Sequence, residues 1–215
     1  DRRRPLGTVA PAVDGTATAA APGAEQPAVF IHGAHDVRVG AVAVLPPEAD
    51  EVEVVVETVG ICGSDLHYYK EGGIGSDVIT APFVPGHEFS AVLAADITGV
   101  GRVGARVVVD PAVSCGVCRF CRGGRANLCT AMRFIGAPPH HGALRPSLCV
   151  PRRNVLAVPP AMTAAQVALL EPVGIALNAV ELAEPMEGGR GDIAVIGAGP
   201  VGLLIMQVAR LRHRP

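Results

Sequence analysis

From residue 28 to about residue 158 the apolar positions fall into short runs with a period near two, broken every few residues by glycine or proline. Ala28-Val29-Phe30-Ile31-His32 and Asp36-Val37-Arg38-Val39 predict two strands about a Gly-Ala turn. Val42-Ala43-Val44-Leu45 predicts another, stopped by Pro46-Pro47. Over residues 52 to 59, Val52, Val54 and Val56 face one way while Glu53 and Glu57 face the other, as in a strand buried on one side. The apolar run 89 to 95 and the segment Arg106-Val107-Val108-Val109, closed by Asp110-Pro111, continue the pattern. Residues 143 to 158 return to it, punctuated by Pro146 and Pro151. Many short strands at this spacing predict a small barrel or sandwich.

After Pro159 the period changes. Thr163 can cap a helix through Val167-Ala168-Leu169-Leu170, with Gln166 three residues on, and Glu171-Pro172 is expected to end it. Residues 174 to 184 predict a second helix, apolar at Ile175, Leu177, Val180 and Leu182. Residues 192 to 196 then predict a buried strand, followed by Gly197-Ala198-Gly199-Pro200-Val201-Gly202 and a helix over 203 to 211. A strand, then G-x-G-x-x-G, then a helix is the setting of a dinucleotide fingerprint. Its first glycine makes the tight turn, the second admits the pyrophosphate and the third lets helix pack on strand. Gly197, Gly199, Pro200, Val201 and Gly202 are therefore the cofactor-binding candidates. The acidic residue that would read a ribose, about 20 positions further on, lies past Pro215.

Composition narrows the class. An apolar share of 49% supports a packed core, and with only 3% aromatic residues Val, Ala, Leu and Ile must fill it. A net charge of -2, with no basic stripe carrying interleaved aromatics, argues against a nucleic-acid partner. No run reaches the roughly 18 apolar residues of a membrane span. Arg2-Arg3-Arg4 leads into small and polar residues rather than an apolar segment, so no secretory signal is expected and the chain is placed in the cytoplasm. In such a reducing compartment six spaced cysteines imply metal or catalysis rather than disulfides. Residues 1 to 26 are rich in Pro and Ala and are expected to be a disordered tail.

Two constellations carry the chemistry. Cys62-Gly63-Ser64-Asp65-Leu66-His67 follows a predicted strand, and Pro85-Gly86-His87-Glu88 puts an imidazole and a carboxylate side by side after a turn. Cys, His and Glu are zinc ligands, and three of them with one open position make a catalytic site. Cys62, His87 and a glutamate, either Glu88 or Glu171, are the candidates, with Ser64 and His67 suited to relay a proton. The second constellation is Cys115-x2-Cys118-x2-Cys121-x7-Cys129, with Arg119, Arg122 and Arg125 between. Four thiols so close fit a closed tetrahedral site, and a loop with so little to bury depends on metal to hold it. Cys149 stands alone and is expected in the core. His32 and His35 are expected at the surface or in turns, and Tyr68 and Tyr69 in packing.

At these motifs the chain resembles the zinc-dependent medium-chain dehydrogenase/reductase family, closest to its polyol (sorbitol, or L-iditol) branch. The strings that carry the resemblance are VGICGSDLHYY, PFVPGHEFS, the four-cysteine loop, LLEPVGIALNA and VIGAGPVGL, in the family's order over roughly residues 28 to 210. The resemblance implies a GroES-like β-barrel catalytic domain over 27–160, with a structural zinc lobe at 114–130. Residues 161–215 would be a helical linker and the first strand-helix unit of a Rossmann domain, C-terminally truncated. It implies Cys62, His87 and Glu88 as catalytic zinc ligands, and Glu171 beside the metal, binding its water or the substrate. Ser64 and His67 would serve proton relay and substrate contact, and Cys115, Cys118, Cys121 and Cys129 would hold a structural zinc. The implied reaction is oxidation of a secondary alcohol, a polyol above all, with hydride transfer to NAD or NADP, in an enzyme that is a homo-oligomer at full length. Threonine and simple alcohols are the alternative substrates. A truncated, inactive zinc-binding fragment is the alternative function, since one strand-helix unit cannot make a sheet. Three departures stand out: residues 94 to 104 are shorter than the family's turn, Ala105 replaces an acid, and His140-His141-Gly142 replaces acidic residues.

Overall fold

The computed structural model describes residues 23–183 and 193–212. Residues 1–22 of the expected tail lie outside this range. Residues 25 and 26 do not belong to that tail. They open strand β1 (Glu25–Gly33), which pairs antiparallel with β2 (Asp36–Ala43) across a turn where His35 takes a φ of 60°. Gln26 is buried because its amide mimics a backbone pair, donating to the Ser147 carbonyl at 2.8 Å and accepting from the Ser147 N–H at 2.9 Å. Val42 and Ala43 extend β2 rather than forming a separate strand.

The core is a five-stranded antiparallel sheet, open at both edges rather than closed into the expected barrel. It comprises β3 (Glu51–Gly60), β6 (Glu88–Leu93), β7 (Arg106–Val109), β10 (Ser147–Pro151) and β11 (Val155–Ala157), in the order β10-β3-β6-β7-β11. Two short pairs complete the strands: β4 (Gly73–Ile74) with β5 (Asp77–Val78), and β8 (Ala112–Val113) with β9 (Arg133–Phe134). The expected alternation in β3 holds as far as Val56, and Val52, Val54 and Val56 all meet the core. There Glu57 is inserted as a bulge, since Val56 pairs with Ala91 but Thr58 with Ser90. The extra residue brings Val59 into the core and frees Glu57 to take Arg106 in a two-point ion pair at 2.6 and 2.8 Å. Arg106 also donates to the Met162 carbonyl, tying the sheet to the helices that follow.

Val54, Phe89, Ala91, Leu93, Val107, Val109 and Val150 form the interior, none more than 1% exposed. Short β-branched side chains replace the missing aromatics, as the composition requires. Cys149 departs from its expected core position. Leu148 and Val150 point inward, so period two turns Cys149 to the opposite face, where its thiol donates to the Leu45 carbonyl at 3.3 Å.

Four helices longer than a single turn lie in the described residues. α1 (Gly63–Glu71) was not foreseen in the strand-end motif, and α2 (Arg119–Arg122) is one turn inside the cysteine loop. α3 (Ala164–Ala168) has the expected cap, Thr163, whose hydroxyl accepts from the Gln166 N–H. α4 (Leu170–Ala183) runs through Glu171-Pro172 without a break. Pro172 is its third residue, where an amide would have no helical partner, so its missing N–H costs nothing. α5 (Pro200–Arg212) follows the glycine turn and is joined to α4 by Arg212 and Glu181 at 2.6 Å. The strand expected over 192 to 196 is not formed: residues 193–198 make no strand pairing among the described residues, and Ile196 is fully exposed. A strand exists only against a neighbour, and none of the five core strands lies beside it.

Candidate metal centres

Strand β3 ends at Gly60, which pairs with Glu88 at the start of β6. The two strand ends therefore place Cys62, just past one, beside His87 and Glu88, at the head of the other. One ligand atom from each of Cys62, His87 and Glu88 lies within 4.8 Å of the others. The turn before His87 is gripped on its outer side. Gly142, Ala143 and Leu144 donate to the carbonyls of Val84, Gly86 and Pro85, and β1 reaches the same segment through Ile31 and Phe83. Gly86 adopts a φ of 95°, and a Cβ there would lie 2.8 Å from Val59 Cγ1, so only glycine fits.

Cys62 is the N-cap of α1, and its thiol faces the N–H and hydroxyl of Ser64. Burial is the main influence on that thiol and pushes its pKa up; Ser64 opposes this and the Glu88 carboxylate adds to it. His87 is 6% exposed and its Nδ1 has no hydrogen-bond partner, although it is fully enclosed. An imidazole nitrogen left bare in a core is costly unless something binds it. Its ring packs edge-on against Phe134, centroids 5.3 Å apart.

Asp65, absent from the sequence-based site, belongs here. It is 5% exposed, accepts from the Cys62 N–H at 2.9 Å, and leaves its second oxygen without a partner. Burial raises its pKa, against the pull of the Cys62 amide and the His87 ring. It fixes the residue that offers the thiol and sets a carboxylate against the residue that offers the imidazole, as groups behind metal ligands do. The signal was present in the sequence, because Cys62-x-x-Asp65 has the spacing of a helix cap and its acidic third residue.

Glu171 lies in the first turn of α4, outside the three-ligand cluster but within electrostatic range of it. Burial raises its pKa first; His87 then lowers it, while Glu88 and Asp110 raise it. Ser64 sits beside the cluster, whereas His67 lies on the outer side of α1, with its Nδ1 2.9 Å from Glu71 Oε1. The pair His140-His141 supports the turn. His141 Nδ1 accepts from the Val84 N–H at 3.1 Å, and its ring meets Phe30 edge-on. Burial, then Arg145 and His140, hold the His141 pKa down and keep it an acceptor.

The four loop cysteines form the second cluster. Their sulfurs all lie within 4.8 Å of one another, with Cys118 to Cys121 at 3.5 Å and Cys115 to Cys121 at 3.9 Å. Four sulfurs on a tetrahedron with bonds of about 2.3 Å stand about 3.8 Å apart, so the set matches a zinc polyhedron. Backbone N–H groups of Cys121 and Thr130 draw the Cys118 thiol down to about 5, while burial and the Cys118 sulfur push Cys121 up to about 11. No residue of α2 is buried; Phe120 lies under the guanidinium groups of Arg119 and Arg125.

At the glycine turn, Gly197 has a φ of 107° and Gly202 packs on its carbonyl with no room for a side chain. Pro200, which has no N–H to leave unpaired, opens α5, and Val201 follows it in the first turn, so the N-terminal end of the helix meets the glycine turn, as the fingerprint needs. No helix among the described residues is long and apolar enough to cross a membrane.

Residues 48–160 match the alcohol dehydrogenase GroES-like domain. The chain is 37% identical over 185 residues to sorbitol dehydrogenase of Bacillus subtilis (strain 168), covering 85% of this chain and 52% of that protein. Among solved structures it is similar to an alcohol dehydrogenase of Escherichia coli CFT073 complexed with NADH. That similarity has a TM-score of 0.75 and 35% identity, over 87% of this chain and 54% of that one. It is also similar to L-idonate 5-dehydrogenase of Escherichia coli K-12, with a TM-score of 0.77 and 30% identity, over 87% of this chain and 54% of that one. The chain spans about half the length of the curated relatives it matches.

Proposed function

The chain belongs to the zinc-dependent medium-chain dehydrogenase/reductase family through its GroES-like domain, and we propose that it serves oxidation of a polyol or other secondary alcohol to a ketone, with hydride transfer to NAD or NADP. The observation that carries this reading is the convergence of Cys62, His87 and Glu88 on one point, with the His87 Nδ1 enclosed and unpartnered. Residues 27–160 are read as the catalytic domain, with the lobe at 114–130, and 161–215 as a linker and the beginning of the dinucleotide-binding unit.

Each side chain then has a task. Cys62, His87 and Glu88 hold a zinc ion, and Asp65 keeps the first two aligned. Bound zinc supplies Lewis acidity, which lowers the pKa of a neighbouring hydroxyl. Glu171 faces the same point from α4 and orients a water or the substrate. Ser64, beside the Cys62 thiol, accepts the hydroxyl proton as it gives up its own to His67, and His67 passes that proton to water. Gly197, Gly199 and Gly202 allow the pyrophosphate to approach the backbone, and the first turn of α5, which Pro200 opens without an N–H of its own, offers it the N–H of Val201. Cys115, Cys118, Cys121 and Cys129 hold a second zinc that keeps their lobe folded. Sorbitol and xylitol are the favoured substrates, with threonine and simple secondary alcohols behind them.

A second reading, a zinc-binding barrel without turnover, draws support from the unpaired segment 193–198, whose Ile196 is fully exposed. The test is dinucleotide reduction by the zinc-loaded chain with sorbitol, xylitol, threonine and simple alcohols, run beside the visible spectrum of the cobalt-loaded chain. Turnover abolished by Cys62→Ala supports the dehydrogenase. A spectral response to polyol without turnover supports the second reading, and no response to any alcohol overturns the polyol assignment.

A further inference from the structure

We propose that Glu71 is a positioning residue for His67: it fixes which ring nitrogen carries the proton and leaves Nε2 as the base. This rests on the reading of His67 as the last protein group in the proton path, and it adds a residue that the path itself does not name. His67 Nδ1 lies 2.9 Å from Glu71 Oε1, one helical turn away on α1. A carboxylate only accepts hydrogen bonds, so the neutral imidazole must donate from Nδ1, and its lone pair is then on Nε2. Without such a partner either nitrogen can carry the proton, and in one of the two tautomers Nε2 cannot accept another.

The helix separates its functions by face. Asp65 and Tyr68 are buried, Asp65 against the metal ligands and Tyr68 edge-on to Phe83, 5.3 Å between centroids. His67 and Glu71 are 57% and 62% exposed and stand in water. A pair so exposed does little for stability. What it can do is choose a tautomer, which takes only a small bias between two nearly equivalent states. The α1 backbone also suits the arrangement. Glu71 is its last residue, and the chain reverses at Gly72, whose N–H is taken by the Tyr68 carbonyl, so the carboxylate leans back over the preceding turn. In the proton step the substrate O–H bond breaks and an N–H bond forms at His67 Nε2 by way of Ser64. The imidazolium, held by Glu71, then returns that proton to water, while the hydride leaves on the dinucleotide.

Nitrogen-15 NMR of the zinc-loaded, 215-residue chain tests this, read above the titration of the ring and with the His67 resonances identified by their loss in His67→Asn. The native chain is expected to show a protonated Nδ1 and a bare Nε2. Glu71→Gln, whose amide oxygen still accepts, should keep that pattern. Glu71→Ala should raise the Nε2-protonated population at least threefold. An unchanged tautomer in Glu71→Ala, or an Nε2-protonated ring in the native chain, overturns the proposal and leaves the proton-path reading standing. A tautomer that moves as expected, with alcohol oxidation untouched by His67→Asn, overturns the proton-path reading and with it the catalytic meaning of Glu71.

Discussion

The two clusters that could hold a metal are built in opposite ways. The four cysteines come from one stretch of fifteen positions, with a single-turn helix and no buried residue in it to hold them. Cys62, His87 and Glu88 lie at the adjoining ends of two strands of the core sheet, where Gly60 pairs with Glu88, Phe89 is fully buried and the backbone of 142–144 holds the 84–86 turn. On the proposed reading the first cluster is a loop organised by the ion it would hold, and the second is a site organised by its fold. One consequence concerns how each should fail: stripping metal should unfold the lobe and leave the core sheet, whereas loosening the core sheet should erase the second site without touching the lobe.

The largest effect expected from that contrast is on the lobe. Zinc coupled to folding in small cysteine sites contributes on the order of 10 kcal/mol. Chelation, or Cys118→Ala, should therefore make residues 114 to 130 quickly cleavable by protease while the sheet stays resistant, as read by limited proteolysis and mass spectrometry. Loss of the whole fold on chelation would break the comparison. Next comes the core beneath the other site. Phe89 is fully buried directly after Glu88, and Phe89→Ala should cost about 3–5 kcal/mol in urea unfolding. The same variant should lose zinc at Cys62–His87–Glu88 and keep it in the lobe.

A smaller effect separates ligands from the groups behind them. Asp65→Asn keeps an acceptor for the Cys62 N–H but removes the charge facing His87, and should weaken the sheet-site zinc about 10- to 100-fold by competition with a chelator. The lobe zinc should be unaffected. The smallest effect is on pH dependence. His141 has its pKa lowered in the folded chain by burial, Arg145 and His140, so the folded state binds fewer protons than the unfolded state just below the ordinary histidine value of about 6.5. Stability contributed by neutral His141 is present above that value and is lost as pH falls below it, with the Val84 N–H losing its acceptor. The urea midpoint should drop over this range, and drop less in His141→Gln.

The same contrast explains what could be read from the sequence. The cysteine cluster was legible because its four residues share one short stretch, whose spacing is enough to bring the sulfurs together. The core strands were legible as short valine-rich runs between glycines and prolines, although Val55 and Val108 show that β3 and β7 are covered on both faces rather than one. Helix α1 was missed because a motif rich in Gly, Ser and Asp reads as a turn until Cys62 and Asp65 are seen to cap it. Asp65 was missed for the same reason. Glu171-Pro172 read as a helix end because proline interrupts a helix interior, whereas here it falls in the first turn. The strand expected over 192 to 196, of which 192 lies outside the described residues, was read from its apolar run and the glycine motif after it, and neither supplies the neighbour that a strand needs. The role of His141 depends on Val84, 57 positions away, and no local pattern reveals it.

The claim that one cluster is made by the fold and the other by its ion is tested most directly by counting zinc in the purified chain and two variants. The native chain should carry two zinc ions. Cys62→Ala should carry one with the lobe still protease-resistant, and Cys118→Ala should carry one with the core sheet still folded. A native chain with a single zinc that survives Cys62→Ala would contradict the account.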